Sequence, residues 1–161
     1  MKKYLKWVLG GVAGVAVLLQ FTNPAHTNPS VVRAHDLLAA NPPPPEIASL
    51  LRQACYDCHS YETRWPWYSR VAPVSWLLAD HVADGRKQLN FSEWPHDDPG
   101  RARRKWDRIR KQVDSGDMPL VSYTWVHTGA RLSAAQRNQL VKWAGQEARR
   151  LEFESAATKP E

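Results

Sequence analysis

Apolar positions recur with a helical period in four separate stretches of the chain. In the first, Ile47, Leu50, Leu51 and Ala54 stand at i, i+3, i+4 and i+7 behind Pro45, whose fixed φ suits a first helical position. The second starts near Pro73, carries Val74, Leu77, Leu78, His81 and Val82 on one face, and is expected to end near Gly85. The third follows Asp97-Asp98-Pro99, an N-cap and then a proline, turns Trp106, Ile109 and Val113 inward, and stops at Gly116. The fourth opens on Ser133 and Gln136, spaced as a capping box, and its stripe is Leu140, Trp143 or Ala144, and Ala148. No stretch alternates convincingly with period two. The pattern predicts an all-α fold, a small bundle of about four helices with long loops at Ser60–Ala72 and Pro119–Leu132.

A different pattern precedes the bundle. Lys2, Lys3 and Lys6 flank an uncharged, mostly apolar run from Trp7 to Phe21, the arrangement of an export signal or membrane anchor. A span needs about 20 apolar residues. Tyr4 and Leu5 lengthen this one, and Lys6 can snorkel to the headgroups. The best cleavage-like stretch, Asn23-Pro24-Ala25, fits poorly, so residues 1–21 read as a signal anchor, with a cleaved signal as the alternative. By the positive-inside rule the lysines stay in the cytoplasm and everything after Phe21 lies outside it. Residues 22–45 hold Pro24, Pro29 and Pro42-Pro43-Pro44-Pro45 and read as a Pro-rich tether, with a short helix within Val31–Ala40. The bundle then occupies 46–153, and 154–161 reads as a flexible tail.

Composition narrows the class. A chain of 161 residues, 43% hydrophobic and 24% charged, holds one ordinary domain and is neither collagenous nor disordered. Two cysteines exclude a framework of several disulfides. Eight tryptophans are many for so small a core, and with short helices and long loops they suggest a core completed by a large apolar ligand.

The two cysteines sit in Cys55-Tyr56-Asp57-Cys58-His59, a C-x-x-C-H sequence, which is the attachment signature of c-type haem. The spacing has a physical reason. Two thiols at i and i+3 on a helical turn can each add to one haem vinyl group, and the next residue, His59, is directed at the iron. The competing readings are a plain Cys55–Cys58 disulfide, a thioredoxin-like pair without its βαβ unit, and half a zinc site without a second cysteine pair. For the sixth iron ligand the candidate is Met118, the one internal methionine, in Gly116-Asp117-Met118-Pro119 after the third helix. His81, on the apolar face of the second helix, and His127, in the following loop, are the alternatives. Trp65, Trp67, Tyr68, Trp76, Trp94, Trp125 and Trp143 are candidate walls of the haem site, and Arg64 and Arg70 candidate propionate partners. The basic run Arg101, Arg103, Arg104, Lys105, Arg108, Arg110 and Lys111 reads as a solvated face, or as a surface steering the domain toward an acidic redox partner or anionic lipid. In an exported domain it does not point to nucleic acid.

The motif and Glu62-Thr63-Arg64-Trp65-Pro66-Trp67-Tyr68 resemble the small bacterial haem-binding domain family. So do Ala72-Pro73-Val74-Ser75-Trp76, Leu89-Asn90-Phe91-Ser92-Glu93-Trp94, Gly116-Asp117-Met118-Pro119, and Leu132-Ser133 through Lys142-Trp143-Ala144. The resemblance covers roughly residues 45–145, in matching order. It implies one covalent haem at Cys55 and Cys58 with His59 on the iron, and a role for Met118 is consistent with it. The expectation is a monohaem c-type cytochrome tethered to the bacterial inner membrane, facing the periplasm, that carries electrons to a redox partner protein rather than catalysing a reaction. The alternative is a haem enzyme or a gas or redox sensor with an open or labile sixth iron position.

Overall fold

The computed structural model describes residues 2–157, and among these the chain is helical with no strand. The order is α1 (Lys2–Leu19), α2 (Leu37–Ala40), α3 (Pro45–Ala54), α4 (Tyr56–His59), α5 (Val74–Gln88), α6 (Pro99–Ser115), α7 (Val121–Val126) and α8 (Ala134–Ala157), with 3-10 turns in several of the connections. After the 18-residue α1, the four longer helices α3, α5, α6 and α8 are those expected from the periodicity, and α4 and α7 lie in the loops between them.

Their ends are set by local chemistry. Pro45 occupies the first turn of α3. Asp98 caps α6, accepting from the Arg101 N–H at 2.8 Å. Gly116 closes α6 in the left-handed region at φ 82°, which an L side chain enters only at a cost. Ser133 and Gln136 form the reciprocal capping box of α8, with N···O distances of 2.9 and 3.2 Å. The fourth helix is longer than expected and runs through 154–157, the first residues of the expected tail. Residues 158–161 of that tail lie outside the described residues.

The core forms where α6 and α8 pack along each other. Trp106, Ile109 and Val113 meet Leu140, Ala144 and Ala148, and Ile47 and Leu51 of α3 close one side. An aromatic stack runs through it: Tyr56 on Phe91 at 5.0 Å between centroids, Phe91 on Trp94 at 6.0 Å, Trp94 on Trp106 at 4.5 Å, and Trp106 edge-on to Trp143 at 4.7 Å. Offset and edge contacts at these distances are the favoured ones for aromatic pairs.

Three expectations need correcting. Residues 22–45 are not a free tether, because Asp36, Leu37 and Leu38 are buried and the two leucines join the core. Asp36 caps α2 through the Leu38 and Ala39 N–H groups, both at 3.0 Å, so this segment is held by burial and by its own cap. The second helix does not stop at Gly85. It continues to Gln88, and the glycine serves close approach: a Cβ there would lie 2.6 Å from the Cys58 carbonyl oxygen. The apolar face of that helix is also only partly in the core. Val82 is buried, whereas Val74 and Leu77 are exposed.

Candidate functional site

The motif is a single helical turn. Cys55 closes α3 with its N–H on the Leu51 carbonyl, and its own carbonyl accepts from the Cys58 and His59 N–H groups at 3.2 and 2.9 Å. The turn ends at Ser60, whose hydroxyl donates to the Tyr56 carbonyl at 2.7 Å. Tyr56 turns into the core against Phe91. Cys55, Cys58 and His59 face a cleft.

That cleft has two joined halves that share Ala54, His59, Gln88 and Met118 on their walls. One half, about 180 Å³, lies against α5 and α7 and is bounded by Cys58, His81, Gly85 and Tyr123. The other, about 290 Å³, lies against α6 and is bounded by Cys55, Phe91, Ile109 and Val113. Four of the residues that the sequence singled out, Cys55, Cys58, His59 and Met118, therefore border one apolar-walled space, although 59 residues separate His59 from Met118. The end of α6 positions Met118: after the left-handed Gly116, its N–H returns to the Gln112 carbonyl at 3.0 Å.

The imidazole of His59 is fixed by its surroundings. Nδ1 lies 2.8 Å from the Gly85 carbonyl and 3.1 Å from the Leu89 carbonyl, which makes it the protonated nitrogen and leaves the lone pair on Nε2. Burial lowers the pKa of this histidine and keeps the ring neutral. A neutral imidazole with its remote nitrogen tied to a carbonyl is the state in which histidine binds a metal. No disulfide joins Cys55 and Cys58. Burial pushes Cys55 up to about 12 and Cys58 up to about 11, and a smaller push comes from the neighbouring thiolate form of Cys58 on the first and from the Asp57 carboxylate on the second. Thiols so shifted are the reverse of an activated redox pair, whose thiolate is stabilised.

Asp57 holds the outer side of the motif. It takes Arg64 Nε and Nη2, both at 3.2 Å, and the Tyr123 hydroxyl at 2.8 Å, linking the turn to α7. Arg64 is thus already paired and does not line the cleft, nor does Arg70. The expected tryptophan walls are likewise absent from both halves. Trp94 and Trp143 are in the aromatic stack, Trp76 donates to the Thr22 carbonyl at 2.9 Å, Trp65 donates to Asn28 at 3.2 Å, and Trp67 and Trp125 are 80% and 71% exposed. The aromatic walls are Phe91 and Tyr123 instead. His81 borders the α5 half beside Met118. His127 borders neither half, and its Nε2 is engaged by the Tyr68 hydroxyl at 2.9 Å.

Sequence reasoning missed Gln88, Arg108 and Gln112 on the cleft walls. Arg108, which donates from Nη1 to Gln88 Oε1 at 3.2 Å, is the one arginine or lysine bordering either half among the described residues. The signal was available: Arg108 and Gln112 are four apart on α6, next to the buried Ile109 and Val113.

The donor set fits a haem. A flat apolar macrocycle needs apolar walls, its iron accepts imidazole nitrogen and thioether sulfur, and two unpaired thiols border the same space. A family model described as a haem-binding domain matches residues 14–146 of the chain. No curated protein and no solved structure matches it.

Proposed function

The chain belongs to the haem-binding domain family and is a haem-binding protein, and from that premise we propose that it is a monohaem c-type cytochrome, tethered to a membrane outside the cytoplasm, that transfers electrons. The observation that carries the proposal is the convergence of Cys55, Cys58, His59 and Met118 on one apolar cleft. Cys55 and Cys58 would hold the group through thioethers, His59 Nε2 and the Met118 sulfur would bind its iron, and Arg108, on the cleft wall, would be the cation available to a propionate. Haem supplies a one-electron couple when bound. The chain's own contribution is rigidity and exclusion of water. The Gly85 and Leu89 carbonyls fix the ring of His59, Gly116 and the Gln112 carbonyl fix the start of the Met118 loop, and Phe91, Ile109 and Val113 give the cleft a dry wall. A fixed ligand set lowers the reorganisation that each electron transfer requires.

The anchor in this proposal is α1. Tyr4–Thr22 is long and apolar enough to cross a membrane and is nowhere buried against the domain, and the three lysines at its start favour an outward-facing domain. A second reading, a haem enzyme or sensor, has one observation in its favour: His81, Asp84 and Tyr123 border the same half of the cleft as Met118, polar groups that an open iron position there would meet. The ferric absorption and electron paramagnetic resonance spectra of the matured protein separate the two. Six-coordinate low-spin iron supports the carrier, and a five-coordinate high-spin resting state overturns it in favour of the enzyme or sensor.

A further inference from the structure

A group of large apolar side chains is left uncovered on the side of the domain where α1 leaves it. Gln20, the residue after α1, bridges the backbone of Ala72 with both ends of its amide, accepting from the N–H at 3.0 Å and donating to the carbonyl at 3.4 Å. Asn23 donates to the Arg70 carbonyl at 3.0 Å and accepts from the Ser75 hydroxyl at 2.5 Å, and the Thr22 carbonyl takes the Trp76 indole N–H. The first turn of α5 and the loop before it are thereby pinned to the end of the apolar helix, with no slack in between.

Ala72 is flanked by Val71 and Val74, which with Leu77 one turn on are all exposed, as are Trp125 and Val126 of α7. Val74, Leu77 and Val126 border a common shallow cleft with Tyr68 that runs on to Cys58, His81 and Tyr123, and Val71 and Trp125 adjoin this group along the chain. Trp67 packs edge-on against that tyrosine, 5.8 Å between centroids. Two indoles more than two-thirds exposed beside four aliphatic side chains are costly in water and are the residue types that settle at a bilayer interface.

We propose that this rim, Trp67, Val71, Val74, Leu77, Trp125 and Val126, is a second membrane contact that seats the domain on the outer face of the bilayer. The occupant is a lipid surface because of continuity. Val71 and Val74 lie next to Ala72, which is hydrogen-bonded to Gln20 in the last turn of the Tyr4–Thr22 span, so once that helix crosses, this end of the rim stands at the headgroups. A soluble partner would have to enter a space that the anchor already places against lipid. The exposed Arg70 beside Val71 adds a cation for lipid phosphate. The consequence is orientation: the domain is docked rather than swinging on a spacer, and the face bearing α7 is turned toward the lipid.

The inference rests on the reading of α1 as a membrane span, and the test keeps the two apart. The full chain, labelled with 5-fluorotryptophan, is reconstituted in nanodiscs containing a headgroup-chelated gadolinium lipid or its diamagnetic lutetium counterpart. Resonances are assigned with Trp7→Phe, Trp67→Phe, Trp125→Phe and Trp106→Phe. The expected result is severalfold broadening by gadolinium of the Trp7, Trp67 and Trp125 signals, with the Trp106 signal unchanged. Broadening of Trp7 with Trp67 and Trp125 unaffected would overturn the second contact and leave the anchor standing, turning the rim toward a protein partner instead. An unbroadened Trp7 would overturn the anchor itself, and the second contact with it.

Discussion

Gly85→Ala places a single methyl group where α5 crosses the C-x-x-C-H turn. An ideal Cβ at this position would lie 2.6 Å from the Cys58 carbonyl oxygen, 3.2 Å from its carbonyl carbon and 3.4 Å from its Cβ. The nearest two atoms are backbone, so neither can rotate away and the helix must back off from the motif. Forcing a methyl into a packed site costs about 1–3 kcal/mol. Backing off also stretches the 2.8 Å contact from His59 Nδ1 to the Gly85 carbonyl, a loss of about 0.5–1.5 kcal/mol. Against this, alanine is the better helix former by about 1 kcal/mol. The net is a destabilisation of about 2 kcal/mol, a fall in melting temperature of about 4–8 °C. Gly145→Ala is the control, because its Cβ would meet only flexible side-chain atoms, the Arg110 Cδ at 3.3 Å and the Arg149 Nη1 at 3.8 Å. Thermal unfolding by circular dichroism should show Gly145→Ala at or above the parent and Gly85→Ala well below it. The Gly85 variant should also have a perturbed Soret band, because the carbonyl that orients His59 has moved. Equal melting temperatures for Gly85→Ala and the parent, with identical haem spectra, would refute the close approach.

Further outcomes follow from other parts of the fold. Asp36→Ala should lower stability by about 1–2 kcal/mol in denaturant titration, since its carboxylate caps α2 from a buried position. A value near zero would return residues 22–45 to a free spacer. Trp106→Ala should cost about 3–5 kcal/mol, because the ring is buried at the centre of the aromatic stack and its removal leaves a cavity. Met118→Ala should keep the haem but shift the iron toward high spin and lower the reduction potential measured by redox titration. An unchanged low-spin spectrum would assign the sixth position to His81, the other candidate bordering the cleft.

What the sequence disclosed was mostly local. The cap at Asp98, the stop at Gly116 and the box at Ser133 and Gln136 are all short-range signals, and α6 and the start of α8 were legible from them. The C-x-x-C-H motif was equally local, five consecutive residues. Gly85 was misread because a glycine in a helical pattern signals a stop as readily as a close approach, and only the position of Cys58 decides between them. The short helix expected within Val31–Ala40 is α2, but the burial of Leu37 and Leu38 was not legible, since two apolar residues have no period. The tryptophans misled for a related reason: their number implied a large apolar partner, and several of them are each other's partners, in the stack from Trp94 to Trp143. The pairing of Arg64 with Asp57 and the position of Arg108 on the cleft depend on how helices meet, which periodicity does not carry.

The central claim is that Cys55 and Cys58 carry haem covalently. It is tested most directly by producing the full chain in a host with cytochrome c maturation, denaturing it, and recording the reduced pyridine haemochrome spectrum of the chain after extraction with acidified solvent. The account predicts a haem with both vinyl groups saturated, retained on the denatured chain and lost from Cys55→Ser/Cys58→Ser. A chain that yields its haem to the solvent with the vinyls intact, or that holds none beside a matured control cytochrome, would contradict it.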